Sequence, residues 1–320
     1  MVKRKAFLFG AGASKGASTS TRPYPPPVMT ELYDRLAVQF PDEWGPASRL
    51  ARHADAFRTD FEAAFTEFVL QMPDTVSYGI SPPTLNLLEG QRTLAIYFSQ
   101  FTQDGDSEDS YSKLILALKK SGSLSSCVFG SLNYDCLFEQ AAHMLGSGVD
   151  YSCSAMQATE VRVAKIHGSC NFVTPRLSQH DRALLSAPNV AYEKDFEPLH
   201  PIGLEARLRV ALAPTRAQLP VMSQISPGKE HLLAPVKIQE YRNSWRAQTL
   251  AAEDVVIIGV SHNQNDAHIL ETVRALSVPI YYIGDEANAA KWKKENHHVK
   301  WVHAFFEQGL EKLVVDLGLR

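Results

Sequence analysis

Cysteines and long apolar runs are both scarce in this chain of 320 residues. Its four cysteines, Cys127, Cys136, Cys153 and Cys170, contain no Cys-x-x-Cys pair. We therefore expect free buried thiols in a reducing compartment, with neither a zinc ribbon nor any other metal. No apolar run approaches the roughly 20 residues of a membrane helix. The basic start at residues 3–5 precedes too few apolar residues for a signal peptide, so we expect a cytoplasmic protein.

An excess of charge of either sign is also absent. The chain has 32 Lys and Arg against 35 Asp and Glu, a formal net charge of −3. This balance predicts no direct nucleic-acid binding. The hydrophobic content of 45% is enough for a sizeable core.

Short apolar runs alternate with helical patterns after residue 125. Strands are predicted at 127–130, 161–163, 255–258, 279–283 and 300–303. Helices are predicted after residue 136, at 266–275 and near the C-terminus. The run at 255–258 is continuously apolar, as in a strand that is buried on both faces. The alternation predicts an α/β fold with a Rossmann-like parallel sheet.

Residues 30–120 have a different, helical pattern. Phe61, Ala64, Phe65 and Phe68 follow the spacing of one helix face, behind a capping-box pattern of Thr59 and Glu62. Aromatic stripes of this kind are typical of a helix core. We expect one domain over residues 1–320 with a helical subdomain inserted at about 30–120. Residues 178–228 show no sustained period and are expected to form loops and small elements.

A glycine-rich turn follows a strand predicted at residues 6–9. Its residues are Gly10, Ala11, Gly12, Ala13 and Ser14. Without Cβ atoms, the glycines allow backbone amides to approach a phosphate. The next glycine is Gly16, which breaks the dehydrogenase spacing, and no acidic residue ends a strand about 20 positions later. A dehydrogenase is therefore disfavoured, and a plain tight turn remains the alternative.

Three further motifs follow predicted strands: Asn133-Tyr134-Asp135, His167-Gly168-Ser169 and Gly259-Val260-Ser261. Polar residues at strand ends lie where a parallel sheet binds its ligands. A histidine side chain can accept a proton at neutral pH. An Asx turn that caps the next helix is the alternative for Asn133, and a structural histidine is the alternative for His167. The other ten histidines are given a structural role by default.

In this order, the four motifs resemble the sirtuin-like family of NAD-consuming proteins, and the resemblance extends over almost the whole chain. It implies that NAD is a substrate bound by Gly10–Ser14, Gly168, Gly259 and Ser261. It assigns Asn133 to the nicotinamide ribose and a water, and Asp135 to the nicotinamide carboxamide. Asp285, after the next strand, is expected near the adenine, with an ordinary strand-ending turn as the alternative. His167 is then the catalytic base, and Asn133 is the second catalytic residue.

The departures from the family pattern are informative. Ser131 and Leu132 replace the Thr-Gln of protein-deacetylating sirtuins, and the zinc ribbon of the acyl-lysine cleft is missing. In both features the chain resembles bacterial members of the family that hydrolyse NAD to nicotinamide and ADP-ribose in anti-phage defence. The resemblance thus implies an NAD glycohydrolase. Because no second sensing domain is evident, we expect its control to come from homo-oligomerisation or from a separate defence partner. A protein deacylase, an ADP-ribosyl transferase and a non-catalytic NAD or ADP-ribose sensor remain alternatives.

Overall fold

A computed structural model describes residues 3–17, 21–48, 50–71, 82–103, 108–153, 160–181, 193, 195–213, 218–223 and 233–319. These residues form two compact units. The first consists of Met1–Pro26, Phe101–His167 and Ile238–Arg320. The second consists of Pro27–Gln100 and Gly168–Lys237.

The strands, in chain order, are β1 Lys5–Phe9, β2 Thr21–Arg22, β3 Thr102–Gln103, β4 Cys127–Ser131, β5 Gly148–Asp150, β6 Glu160–Lys165, β7 Gly168–Val173, β8 Glu197–Pro198, β9 Pro220–Met222, β10 Asp254–Ile258, β11 Ile280–Ile283 and β12 Val299–His303. The α-helices are α1 Ala11–Gly16, α2 Met29–Gln39, α3 Pro41–Trp44, α4 Ala54–Thr59, α5 Phe61–Gln71, α6 Pro82–Ser99, α7 Ser110–Lys120, α8 Leu137–Met144, α9 Leu204–Ala211, α10 Pro235–Leu250, α11 Ala267–Arg274, α12 Glu286–Glu295 and α13 Phe306–Asp316.

A parallel sheet of seven strands forms the centre of the first unit, in the order β12-β11-β10-β1-β4-β6-β5. Every residue of β1, β4 and β10 is buried. Continuous apolar strands of this kind suit a sheet that is covered on both faces. The predicted α/β, Rossmann-like fold is confirmed, and the strand bounds agree with the sequence patterns to within a few residues.

Aromatic side chains join the sheet to its helices. Phe129 on β4 lies 4.7 Å from Phe138 on α8, measured between ring centroids, and Phe9 on β1 lies 4.9 Å from Phe138. Tyr111 on α7 packs edge-on against Phe9 at 5.1 Å. Asp109 caps α7 by accepting a hydrogen bond from the amide of Ser112 at 2.9 Å. These contacts place the first turn of α7 near the carboxyl end of β1.

The second unit contains α2–α6, α9 and an antiparallel sheet in the order β8-β7-β9. Its helical part has an aromatic core in which Trp44 stacks on Phe61 at 5.6 Å and Tyr33 on Phe57 at 5.3 Å. Gln91 on α6 donates a hydrogen bond to the carbonyl oxygen of Met222 on β9 at 2.9 Å.

The predicted capping box at the start of α5 is wrong. Asp60 caps this helix instead, because its side chain accepts a hydrogen bond from the amide of Ala63 at 3.1 Å. Thr59 ends α4 and donates to the carbonyl oxygen of Asp55 at 2.8 Å.

Several predictions fall partly outside the described residues. The side chain of Phe68 is not described, and much of the segment 178–228 is not described either. Of the segment 178–228, the structure describes β8, α9 and β9 as regular elements. In the part of the chain that is described, no helix has the length and apolar character needed to cross a bilayer.

Candidate functional site

The sheet of the first unit reverses its strand order at β1. One neighbour of β1 is β4, the next sheet strand along the chain, and the other is β10, from the C-terminal third. Parallel sheets bind ligands outside the carboxyl ends of the strands at such a switch point. Three of the four sequence motifs begin there, at Gly10, Asn133 and Gly259. The fourth follows β6, which is the next strand after β4.

The two glycine turns touch each other. The amide of Gly10 donates to the carbonyl oxygen of Ile258, and the amide of Gly12 to that of Gly259, both at 3.0 Å. A Cβ added to Gly10 would lie 2.6 Å from the Gly259 carbonyl oxygen, and one on Gly12 would lie 2.9 Å from the Gly259 Cα. Gly259 itself has a φ of +64°, which favours glycine. The close approach of the two turns therefore requires glycine at all three positions.

The short helix α1 begins directly after Gly10. The amide of Ala13 donates to the carbonyl oxygen of Gly10 at 2.8 Å. The amides of Gly10, Gly12 and Ala13 are thus all engaged within the protein, and these bonds fix the shape of the turn. Ala11 is half-buried, and Ser14 is completely buried.

The side chain of Asn133 connects β4 to this turn. Its Nδ2 donates to the carbonyl oxygen of Gly10 and to Oγ of Ser14, both at 2.9 Å. The backbone amide of Asn133 donates to Oγ of Ser131 at 3.2 Å. Asn133 is 7% exposed, so these bonds form almost entirely out of water.

A buried network continues from Ser14 to Asp135 and Tyr111. Oγ of Ser14 donates to Oδ1 of Asp135 at 3.1 Å and lies 3.1 Å from the hydroxyl of Tyr111. The Asp135 carboxylate also accepts from the amide of Leu137 at 3.1 Å. Burial raises the pKa of the Asp135 carboxyl, and the charge of Lys165 partly offsets this. Burial likewise raises the pKa of Tyr111 well above its usual value.

A buried ion pair supports this network from β6. Nζ of Lys165 lies 3.1 Å from Oε1 of Glu139, and both side chains are almost completely excluded from solvent. The same Nζ donates to the backbone oxygen of Asp135 at 2.6 Å. Burial raises the pKa of Glu139, and Lys165 opposes the shift. Lys165 thus fixes the backbone at Asp135 from β6, two residues before His167.

His167 forms a second cluster with Asp266 and His268. Its Nε2 lies 3.3 Å from Oδ1 of Asp266, and its ring packs edge-on to that of His268 with centroids 5.5 Å apart. His167 and Asp266 are buried, whereas His268 is partly exposed. One donor atom from each of the three lies within 4.8 Å of the others, a geometry that could hold a metal ion.

The segment after β10 brings Asp266 to this position. The strands β1 and β4 lie between β10 and β6 in the sheet, so this segment extends across their carboxyl ends. It includes a 3-10 turn at Gln264–Asp266, begun by Asn263, whose side chain accepts from the amide of Asn265 at 3.0 Å.

Arg242 on α10 supports the backbone next to His167. Its Nε donates to the carbonyl oxygen of Ile166 at 2.9 Å. Burial lowers the pKa of Arg242, while the negative charge of Asp266 opposes the shift. A positive charge is therefore held close to the His167–Asp266 pair.

Three predicted residues remain, namely Gly168, Ser261 and Asp285. Gly168 belongs to the second unit and has a φ of +75°. Ser261 is exposed, two residues beyond Gly259. Asp285 is exposed and caps α12 by accepting from the amide of Asn288 at 2.8 Å. Partial burial alone would raise the pKa of Asp285. The hydrogen bonds from Asn288 oppose this effect, and the pKa is lowered overall.

Sequence reasoning missed Tyr111, Arg242, Asp266 and His268. Asp266 and His268 follow a buried strand and could have been singled out by that position, since strand ends carry ligands in parallel sheets. Tyr111 and Arg242 lie within helices whose patterns gave no such signal.

The chain matches no protein-family model, and no curated protein is similar enough to count as a match.

Proposed function

We propose that the chain is an NAD glycohydrolase that cleaves NAD to nicotinamide and ADP-ribose. One observation carries the proposal: the glycine turn, Asn133 and the His167–Asp266 pair follow neighbouring strands at the carboxyl edge of one parallel sheet. An NAD-sized ligand is expected at such an edge. The resemblance to sirtuin-like proteins supplies the choice of reaction.

The chemistry requires few groups. Water adds to C1′ of the nicotinamide ribose while the N-glycosidic bond breaks, and the bonding electrons go to the pyridinium nitrogen. Nicotinamide leaves as a neutral base, so no general acid is needed. The site has only to support an oxocarbenium-like ribose and to take a proton from the water.

His167 is the proposed base. Its partner Asp266, at 3.3 Å, would stabilise the imidazolium that forms when His167 accepts the proton. Asn133 is assigned to the ribose and the water. The adenosine half is assigned to Gly10–Ser14, Gly259 and Ser261, with Asp285 near the adenine.

The biological setting is part of the proposal and rests on the family resemblance. Bacterial proteins of this type deplete NAD during phage infection, and such an activity must be restrained in healthy cells. We propose restraint through self-association or a separate defence partner. The helical layer at about residues 30–120 is the candidate contact surface.

A non-catalytic NAD or ADP-ribose sensor is the second candidate. One observation favours it: the Asn133 amide already donates to both Gly10 and Ser14, an arrangement suited to holding a turn. A sensor would bind NAD at the same edge without cleaving it.

The test is to incubate the purified chain with NAD over a range of protein concentrations and to resolve the products by chromatography. Equal amounts of nicotinamide and ADP-ribose support the glycohydrolase. Nicotinamide with ADP-ribose attached to protein identifies a transferase, and nicotinamide release only with an acyl-lysine peptide identifies a deacylase. NAD binding by calorimetry without any product identifies the sensor and overturns the proposal.

A further inference from the structure

We infer that His167, Asp266 and His268 form a binding site for one divalent transition-metal ion of the zinc class. Two imidazoles and one carboxylate are ligands that Zn²⁺ prefers, and three protein ligands leave a fourth position for water or another ligand. The sequence alone predicts no metal here, because the cysteines lack a metal-binding spacing and His268 is assigned a structural role by default.

The distances are close to those of a metal site. The three donor atoms lie within 4.8 Å of one another, and Nε2 of His167 is already 3.3 Å from Oδ1 of Asp266. In a tetrahedral zinc site with bonds of 2.0–2.1 Å, the donors are roughly 3.4 Å apart. The His167–Asp266 pair matches that spacing. A side-chain rotation that brings the partly exposed His268 closer to the other two donors would complete the set.

The backbones that carry these ligands are well supported. His167 follows β6 directly, where Arg242 donates to the Ile166 carbonyl oxygen. Asp266 ends the 3-10 turn that Asn263 begins, and its amide donates to the Asn263 carbonyl oxygen at 3.1 Å. His268 lies in the first turn of α11. Only side-chain torsions therefore have to change when the ion binds.

The charges around the site select the type of metal. The donor set carries a single negative charge, that of Asp266, and Arg242 holds a positive charge nearby. Hard cations such as Mg²⁺ and Ca²⁺ bind mainly to several oxygens and gain little here. Metals that bind neutral imidazole, namely Zn²⁺, Co²⁺, Ni²⁺ and Cu²⁺, are favoured.

Metal binding has a consequence for activity that rests on the proposed function. An ion between His167 and Asp266 takes the place of the proton that the two would share during NAD cleavage. Zn²⁺ should therefore inhibit the enzyme, and a chelator should restore it. The metal site itself does not depend on NAD chemistry.

The test measures metal binding without NAD. The full chain, treated with a chelator and dialysed, is titrated with Co²⁺ while its visible absorption is recorded, and with Zn²⁺ in a calorimeter. We expect one ion per chain and a cobalt spectrum of a low-coordinate site with imidazole ligands. Asp266→Asn and His268→Gln should each weaken binding by about tenfold or more. Circular dichroism confirms that each variant is folded.

Two matched controls separate this site from other histidines. His262 also pairs with a carboxylate, Glu295 at 2.7 Å, but Arg274 occupies that carboxylate at 2.6 Å. The rings of His297 and His298 lie 4.0 Å apart, and His297 is exposed, so this pair is the candidate for adventitious binding. His262→Gln and His297→Gln should leave the high-affinity ion in place.

The proposal is overturned if the wild-type chain binds no Co²⁺ or Zn²⁺, or if His297→Gln removes the ion while folded His268→Gln keeps it. A chain that binds Zn²⁺ at this site but leaves NAD intact supports the metal site and contradicts the glycohydrolase. A chain that cleaves NAD but binds no metal supports the glycohydrolase and contradicts the metal site. The failure of one proposal can therefore be told apart from the failure of the other.

Discussion

The side-chain amide of Asn133 donates to the carbonyl oxygen of Gly10 at 2.9 Å, although 123 residues separate the two in the chain. This bond, together with the one to Ser14, makes Asn133 part of the glycine turn as well as a proposed site residue. Its substitution should therefore affect both the fold and the activity.

We expect Asn133→Ala to lower the free energy of unfolding by about 1–3 kcal/mol, because the Gly10 carbonyl and Ser14 hydroxyl lose a buried partner. NAD cleavage should fall, and NAD affinity should fall with it, because the turn loosens. Urea titration, calorimetry and product analysis measure the three effects. Asn171→Ala is the matched control, since Asn171 is buried and donates to the Leu199 carbonyl oxygen at 2.9 Å in the second unit. Full activity in a folded Asn133→Ala protein would remove Asn133 from the site.

We expect His167→Ala to reduce NAD cleavage by about 10²- to 10⁴-fold, the usual effect of losing a general base. Product formation is compared with that of His262→Ala, which removes another histidine paired with a carboxylate. Because His262 is not assigned to the site, its variant should retain activity. Turnover near the wild-type rate in folded His167→Ala would exclude this histidine as the base.

We expect Gly259→Ala to destabilise the first unit more than Gly122→Ala. Both glycines have positive φ, +64° and +66°, so an alanine is strained at either position. Space around Gly122 is open, whereas a Cβ on Gly259 would clash with the backbone of Gly12 and Ala13. The difference between the urea midpoints of the Gly259→Ala and Gly122→Ala variants therefore measures the destabilisation that arises from the close approach of the two turns. Equal midpoints would show that the turns are not packed in this way.

We expect stability to fall in alkali because of two buried thiols. Burial raises the pKa of Cys127 and of Cys153 to about 12. An unfolded thiol releases its proton near pH 8.5. The unfolded state therefore loses protons first, so stability is complete below about pH 8.5 and declines as the pH rises towards 12. Urea titrations at pH 7.5 and pH 10 measure the decline. The loss of stability between these two pH values should be smaller in a Cys127→Ala/Cys153→Ala double variant. An equal loss in this variant would contradict the assignment of the decline to the two thiols.

The strands could be predicted from sequence because their signal is local. β1, β4 and β10 are short apolar runs that end at glycine or at polar residues, and burial on both faces follows from that composition. The helix boundary at Asp60 could not be predicted as easily. Thr59 and Asp60 are both good capping residues, and only the backbone geometry decides which side chain reaches the amide of Ala63.

The candidate site was predictable only in part, for a related reason. The positions of Asn133 and His167 at strand ends follow from the sheet. The partners of these two residues cannot be deduced from the sheet. Ser14 is 119 residues from Asn133, and Asp266 lies in the segment that crosses two strands to reach His167. No periodic pattern encodes contacts of that range. The internal use of the Gly10, Gly12 and Ala13 amides likewise depends on how closely β10 approaches β1.

The position of β1 in the sheet also determines how the protein can be made. Glu253, just before β10, accepts a hydrogen bond from the amide of Arg4, 249 residues away. A nascent chain therefore has to hold β1 without its β10 partner until most of the sequence has left the ribosome. Pairing over such separations is slow, and an unpaired apolar edge invites aggregation. A chain truncated before Asp254 should accumulate as aggregates, whereas β10, β11 and β12, close together in sequence, can associate as soon as they are synthesised.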